Sequence, residues 1–502
     1  MISNNIFIST FMRINTLNKT FCCAFVTIFV TIFVTITLSL IFITNISSAQ
    51  KNYHMGTNTH FCQGWNPNTI MPLIEQSGFG WIRDEIYWND VEMIKGTYII
   101  RPKVLKWIKE AHKHNLKLIL ILNGKNKLYT DIYDADAYAK FAGNMAKQLR
   151  GLVDAFEILN EPANFGYMAF YGGRWNGLEK NGSISSWVGK YVNLCNKAAM
   201  AIKKTNPSVK VIGLGSVAPV NFRQLAMGIS PAMDGIVDHP YSYRTVPEIV
   251  PYASSKHILK RDGIATADTL GTFSSMINMY RQQSKKYNGP KEIWLTEFGY
   301  TNYQPDKPGM YAGFTLNAQA KYLQRRFMEC LGLGVYVAVQ YDFKDDGKDI
   351  HSAEHNFGLV DANLKIKPAY TALKIFTKAT AGLSPSGNVS VKVFPYADRP
   401  DQFPIVWDGS ILAAPGTMPV YGFHDQSGKT VIAIWSAERS NGELNPRLAD
   451  IEIASNKKIT NVKITDLMTG KESICPFKKT ETVLRINKLN VPDHPILLTL
   501  EQ

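Results

Sequence analysis

Two glutamates in this 502-residue chain stand where an apolar run stops. Glu161 closes Phe156-Glu157-Ile158-Leu159-Asn160-Glu161, and Pro162 keeps a strand from continuing. Glu297 follows Ile293-Trp294-Leu295-Thr296 and precedes Phe298-Gly299. A barrel presents acids at its mouth by placing them at strand exits, and two carboxylates in one concave site are what cleavage of a glycosidic bond requires. Protonation divides the work. An acid at Glu161 must carry a proton for the leaving oxygen, so its surroundings should raise its pKa. Glu297 must be ionised. A gap of about 5–5.5 Å between the two makes it a nucleophile, whereas about 6.5–9.5 Å leaves room for a water.

Other polar residues gather at the same kind of position: Arg83, Asn123, Asn160, His239 and Tyr341-Asp342. Arg83 is either a fixed cation that keeps Glu297 ionised or an ion pair internal to the barrel mouth. The Asn160 amide offers a sugar hydroxyl both a donor and an acceptor, or closes an Asx turn. In His239-Pro240-Tyr241 the phenol can hold a carboxylate and the imidazole can contact a hydroxyl. After Glu161 comes an aromatic loop of Phe165, Tyr167, Phe170, Tyr171 and Trp175. Such rings stack on sugar faces or pack over a barrel rim. The loop after Tyr241, with Tyr243, Arg244 and Tyr252, is long too, and loops on two sides suit a cleft for a polymer cut internally.

These motifs resemble those of the clan A glycoside hydrolases, most of all family 39 and the neighbouring cellulase-like family 5 bacterial enzymes. Phe156–Pro162 is similar to the strand-four motif of family 39 and Trp294–Gly299 to its strand-seven motif. Tyr341-Asp342-Phe343, Glu354–Asp361 and Lys367-Pro368-Ala369-Tyr370 resemble the strand-eight region, and the likeness covers about residues 54–380. It implies retaining hydrolysis with Glu161 as acid/base and Glu297 as nucleophile. It further implies that Asn160 binds the sugar 2-hydroxyl and that Arg83, His239 and Tyr241 serve the site. One departure stands out: where the family places a tryptophan, before a Tyr-Asp pair, this chain has Gln340. Either Tyr341 or a loop aromatic such as Trp175 is then expected to supply the sugar platform, or the subsite differs.

Positioning these residues requires eight strands. Strand patterns at His54–His60, Gly80–Asp84, Lys117–Leu122, Asp154–Leu159, Lys210–Leu214, Gly235–His239, Glu292–Thr296 and Val335–Tyr341 alternate with helical periods. The helical periods include Val104–His114, Ala135–Leu149, Trp187–Lys204, Leu270–Tyr287 and Leu316–Leu331. This order predicts an α/β fold, a (β/α)8 TIM barrel over residues 50–382. Runs such as Leu118–Leu122 suit strands buried on both faces. After Gly382, Pro385 and Gly387 only short alternating strands follow, and residues 383–502 are expected to form an all-β sandwich.

The net charge of +14 fits a basic surface, a polyanionic glycan or adhesion to an envelope. There is no Lys/Arg-dense block, so nucleic acid is not an expected partner. Residues 1–49 read as a signal peptide or a membrane tether. Arg13 and Lys19 precede an apolar run at 21–44, and the small residues Ser47-Ser48-Ala49 follow. A secreted or periplasmic location is expected. Cys62, Cys195, Cys330 and Cys475 show no ligand spacing, so neither a metal site nor a disulfide framework is expected, and no cofactor. P-loop, GxGxxG, HExxH and GxSxG motifs are absent. The residues point to a hydrolase of a polysaccharide, the resemblance implies that it retains configuration, and a bacterial exopolysaccharide is the candidate substrate. The rivals are a transglycosylase on the same glutamates and a non-catalytic carbohydrate-binding protein.

Overall fold

The computed structural model describes residues 51–502 except 165, 251–255, 308, 398–400, 405–410, 415–416 and 441–445. The expected leader at 1–49, and Phe165 and Tyr252, lie outside the described residues. Eight parallel strands close a barrel in sequence order. They are β1 (Asn52–Asn58), β2 (Phe79–Tyr87), β3 (Lys117–Asn123), β4 (Ala155–Ile158), β5 (Lys210–Ser216), β6 (Gly235–Asp238), β7 (Glu292–Leu295) and β8 (Val337–Gln340). The main helices around them are α1 (Pro67–Ser77), α2 (Pro102–Lys113), α3 (Ala135–Gln148), α4 (Ser186–Thr205), α5 (Ala218–Ala226), α6 (Phe273–Lys286), α7 (Leu316–Gly332) and α8 (Pro368–Thr380). Shorter helical turns interrupt the loops.

Side chains two apart on a strand share a face, and this builds the barrel interior in layers. The lower layer is apolar: Trp81, Ile119, Ala155, Ile212, Val237, Trp294, Val337 and Val339. Trp81 and Trp294 meet edge-on at 5.4 Å. Gly235 makes room for them, since a Cβ there would lie 2.3 Å from the Trp294 ring. One step up each strand come Arg83, Ile121, Glu157, His239, Thr296 and Tyr341. The alternation that fills the floor with carbon therefore lines the mouth with polar groups.

The C-terminal strands are β9 (Ser384–Pro385), β10 (Val391–Pro395), β11 (Asp401–Pro404), β12 (Ile411–Ala414), β13 (Val420–His424), β14 (Thr430–Ile434), β15 (Arg447–Ala454), β16 (Asn461–Asp466), β17 (Glu472–Ile474), β18 (Lys478–Lys479), β19 (Val483–Val491) and β20 (Ile496–Glu501). A four-stranded antiparallel sheet, β10-β15-β19-β18, and a six-stranded one, β17-β16-β20-β14-β13-β9, share a core that includes Ile432, Ile434, Ile451, Ile453, Leu484 and Leu498. The architecture is a TIM barrel plus a β-sandwich.

Barrel and sandwich are welded along α7. Lys321, Arg325 and Arg326 of this helix are buried although charged. Lys321 Nζ pairs with Asp493 at 2.9 Å. Arg325 holds Glu248, on the loop after β6, through two bonds of 2.8 and 2.5 Å, and donates to the Glu438 carbonyl at 2.7 Å. Trp435 Nε1 of the sandwich donates to the same Glu248 at 2.7 Å. Gln324 bonds the Leu467 carbonyl at 2.7 Å. The buried charges of Lys321 and Arg325 are tolerated here because each meets a carboxylate, while Arg326 donates from Nη2 to Ser242 Oγ at 2.7 Å.

Candidate active site

Arg83, in the second interior layer, is the hub. Its five N–H donors meet five acceptors: Glu157 Oε2 from Nε (2.7 Å), Glu157 Oε1 from Nη2 (2.8 Å), Asn160 Oδ1 from Nη2 (2.8 Å), Asn58 Oδ1 from Nη1 (2.8 Å) and Glu297 Oε1 from Nη1 (2.7 Å). A guanidinium has no further donor to give. Burial pulls its pKa down, but the charges of Glu157 and Glu297 hold it well above the usual value. Glu157 is fully buried beneath the site.

Glu297 sits just past β7. Its second oxygen accepts from Tyr241 Oη at 3.0 Å. Gly299, two residues on, lies so close to the β8 exit that a Cβ would fall 2.2 Å from the Tyr341 carbonyl oxygen. Across the mouth, the chain leaves β4 through two left-handed residues, Leu159 (φ 58°) and Glu161 (φ 41°). Left-handed backbone is costly away from glycine and concentrates at functional sites. It turns Glu161 inward, where one of its oxygens comes within 4.8 Å of one of Glu297.

His239 lies between the two glutamates. Its Nδ1 is 2.8 Å from Glu161 and 3.6 Å from Glu297, and its Nε2 is 3.0 Å from Thr296 Oγ1. The Thr296 hydroxyl donates to Glu157 at 3.4 Å, which turns a lone pair toward Nε2, so both ring nitrogens serve as donors. Burial lowers the His239 pKa, yet the Glu297 charge and the Glu161 bond raise it overall. Glu161 departs from expectation. Burial raises its carboxyl, but the His239 bond and charge, the Asn164 bond and the Arg83 charge outweigh this and hold it below its ordinary value. The two opposite shifts favour a charged imidazole–carboxylate pair in the free site.

The cavity over these groups measures about 400 Å³ and is lined by Arg83, Asn160, Glu161, Tyr241, Glu297 and Tyr341, with His60, Glu85, Tyr311, Asp346 and Glu354 among the rest. Asn160 gives its oxygen to Arg83, and its amide nitrogen has no protein acceptor among the described residues. Tyr341 lines the cavity with Phe357 edge-on behind it at 5.4 Å. Gln340 is buried and turned away, bonding Thr57 Oγ1 at 2.9 Å and the Asp342 carbonyl at 2.6 Å. The aromatic surface at this exit is therefore Tyr341.

The aromatic loop after Glu161 lies elsewhere. Trp175 does not line the cavity, and its indole packs under Arg261 at 5.0 Å. Tyr167, Phe170 and Tyr171 cluster around Tyr133 on the rim. The sequence motifs single out none of Glu157, Asn58, Tyr311 and His60, and Glu354 only as part of the strand-eight likeness. An acid inside an otherwise apolar strand was a usable signal for Glu157. Tyr311 and Glu354 sit on loops whose course no local pattern sets.

The sequence matches no family model and no curated protein. Among solved structures, the chain is similar to a family 39 glycoside hydrolase from the gut symbiont Bacteroides cellulosilyticus WH2. The TM-score is 0.64 at 19% identity, over 90% of this chain and 82% of that one. It is also similar to a glucosidase from Croceicoccus marinus, with a TM-score of 0.50 at 12% identity, over 91% and 97% of the two chains. At such identities the likeness is one of fold.

Proposed function

We propose that this protein is a retaining glycoside hydrolase that cleaves a polysaccharide, with Glu297 as nucleophile and Glu161 as acid/base. The observation that carries this is the approach of the two carboxylates to within 4.8 Å at the exits of β7 and β4. So close an approach fits the narrow spacing of a nucleophile better than the wide one that admits a water. Glycoside hydrolases among the structural neighbours support the reading.

In the first step a Glu297 oxygen bonds the anomeric carbon, the glycosidic C–O bond breaks, and the Glu161 proton passes to the leaving oxygen. In the second, Glu161 takes a proton from water, the water oxygen bonds the anomeric carbon, and Glu297 leaves. Arg83 and Tyr241 hold and aim Glu297 through bonds of 2.7 and 3.0 Å. Bound sugar excludes water from Glu161, which strengthens the burial that raises its pKa. The proton then crosses the 2.8 Å bond from His239. Asn160 offers its free N–H pair to a sugar hydroxyl, and Tyr341 offers a stacking face.

The net charge of +14 does not extend into the cavity. Its lining carries Asp84, Glu85, Glu161, Glu297, Asp346 and Glu354 against Arg83 and His60. Arg83 is fully engaged, and Glu354 has no bonding partner among the described residues. An uncharged glycan fits this wall, and a polyanion does not. We further propose export, with residues 21–44 as leader or tether, so that the substrate is an extracellular polymer such as an exopolysaccharide.

The test is release of reducing ends from a panel of neutral and acidic polysaccharides by the purified protein, with Glu161→Gln and Glu297→Gln beside it. Release from a neutral polymer, lower by about 10²–10⁴-fold in Glu161→Gln, is expected. Binding without turnover by any of the three would sink the hydrolase in favour of a binding protein. Products dominated by transfer to sugar acceptors would replace it with a transglycosylase.

A further inference from the structure

Asp342 follows Tyr341 at the exit of β8. Its side chain is fully buried, yet neither carboxylate oxygen has a hydrogen-bond partner among the described residues. A buried carboxylate in this condition is costly and needs an explanation. Two other ligand-type side chains converge on it: His60, from the loop after β1, and Asp346, four residues further along. One atom from each of the three lies within 4.8 Å of the other two.

No protein cation completes the cluster. His60 directs Nδ1 at Asp346, 2.8 Å away. Lys367 is engaged by Asp345 at 2.7 Å and Asn302 at 3.2 Å. Lys344 bonds the Asp345 carbonyl and lies over the Trp65 ring. The second trio within the same distance, Glu161, His239 and Glu297, differs in kind. There each carboxylate oxygen already has a partner, and Arg83 occupies the place of the counter-charge.

We propose that His60, Asp342 and Asp346 bind a divalent transition cation of the Zn²⁺ or Mn²⁺ class at the wall of the cavity. One imidazole nitrogen with two carboxylates is a mixed N/O set that such ions take, and Ca²⁺ or Mg²⁺ with their preference for oxygen fit it less well. Contacts of the His60 ring with Trp65 at 5.0 Å and Tyr341 at 5.7 Å hold the imidazole in orientation. His60 and Asp346 line the cavity whereas Asp342 does not, so the open coordination positions face the sugar. There a water or a pair of sugar hydroxyls completes the shell. No sequence motif announces the site, because its members are far apart in sequence and meet only where β1 pairs with β8.

Full-length protein, stripped with chelator, is titrated with ZnCl₂ or MnCl₂ alone by calorimetry and followed by thermal unfolding. One ion per chain and a rise in Tm are expected. Asp342→Asn and Asp346→Asn should each weaken binding about tenfold or more, while Glu161→Gln leaves it intact. The more accessible Asp346 serves should the Asp342 variant not fold. The site is overturned if neither metal binds the wild type. It is equally overturned if binding survives both aspartate variants but disappears in Glu161→Gln, which would place the ion between the glutamates. Because no sugar is present, failure here and failure of the hydrolase reading are distinguishable.

Discussion

Arg83 touches Glu157, Asn160, Asn58 and Glu297 with one planar group, and only a guanidinium has the donors to do so. Arg83→Lys should therefore release at least one carboxylate and abolish most activity despite keeping the charge. Tyr241→Phe removes a single bond to Glu297 and nothing from the hub. Losing one hydrogen bond to a charged group costs about 1.5–3 kcal/mol, so kcat/KM should fall by about 10–150-fold while Tm hardly moves. Equal losses in the two variants would show that the hub is not what positions Glu297. At this scale the sequence was informative where a polar residue ended an apolar run, as with Arg83, Glu161, His239 and Glu297, which the structure brings to one mouth. Glu157 was legible only as an acid inside an otherwise apolar strand, and the position of Trp175 against Arg261 was not legible.

Strand exits set the geometry of the site, and their backbones crowd. Gly299 is required where the β7 exit passes the Tyr341 carbonyl. Gly299→Ala must push the β8 exit outward and carry Tyr341 with it. A displacement of about 1 Å in a catalytic constellation can cost about a hundredfold in rate, and kcat/KM measured beside circular dichroism should show that loss in a folded protein. Unchanged kinetics would mean that the exit is softer than its packing suggests. Strand alternation was legible for all eight barrel strands because their apolar runs are bounded by polar ends, and the edges moved by up to a few residues. Helices α1, α5 and α8 were not read. Each begins at or next to proline, and α1 also carries Pro72 inside it, so the helical period is masked where a reader looks for it. The β11–β12 hairpin escaped for lack of clear alternation.

The weld between barrel and sandwich involves charges that neither part could bury alone. Arg325→Ala leaves Glu248 buried with only Trp435 beside it, and breaking such a pair costs about 3–5 kcal/mol, readable as a shift in denaturant midpoint. An ion pair within the sandwich, between Asp466 and His494, should weaken in acid. Burial raises the Asp466 pKa, but His494, 3.2 Å away, and the Thr469 N–H bring it from 3.8 to about 2. Between those values the folded chain binds fewer protons than the unfolded one. This contribution is therefore complete above 3.8 and lost as pH falls toward 2, and Asp466→Asn should flatten that part of the stability profile. The two-part layout was legible from the change of period near residue 383, whereas the weld was not, since Lys321 and Arg325 look like ordinary helix-surface cations in the sequence.

Glu248 lies on the segment that carries His239 and Tyr241, and it is gripped from one side by α7 and from the other by Trp435. A ribosome makes these pieces in order. Lys321 pairs with Asp493, and Arg325 and Glu248 find Glu438 and Trp435, all synthesised more than a hundred residues after α7 begins. Until the sandwich has been made, the catalytic segment therefore lacks these contacts. Its last hold comes from the far end of the polypeptide.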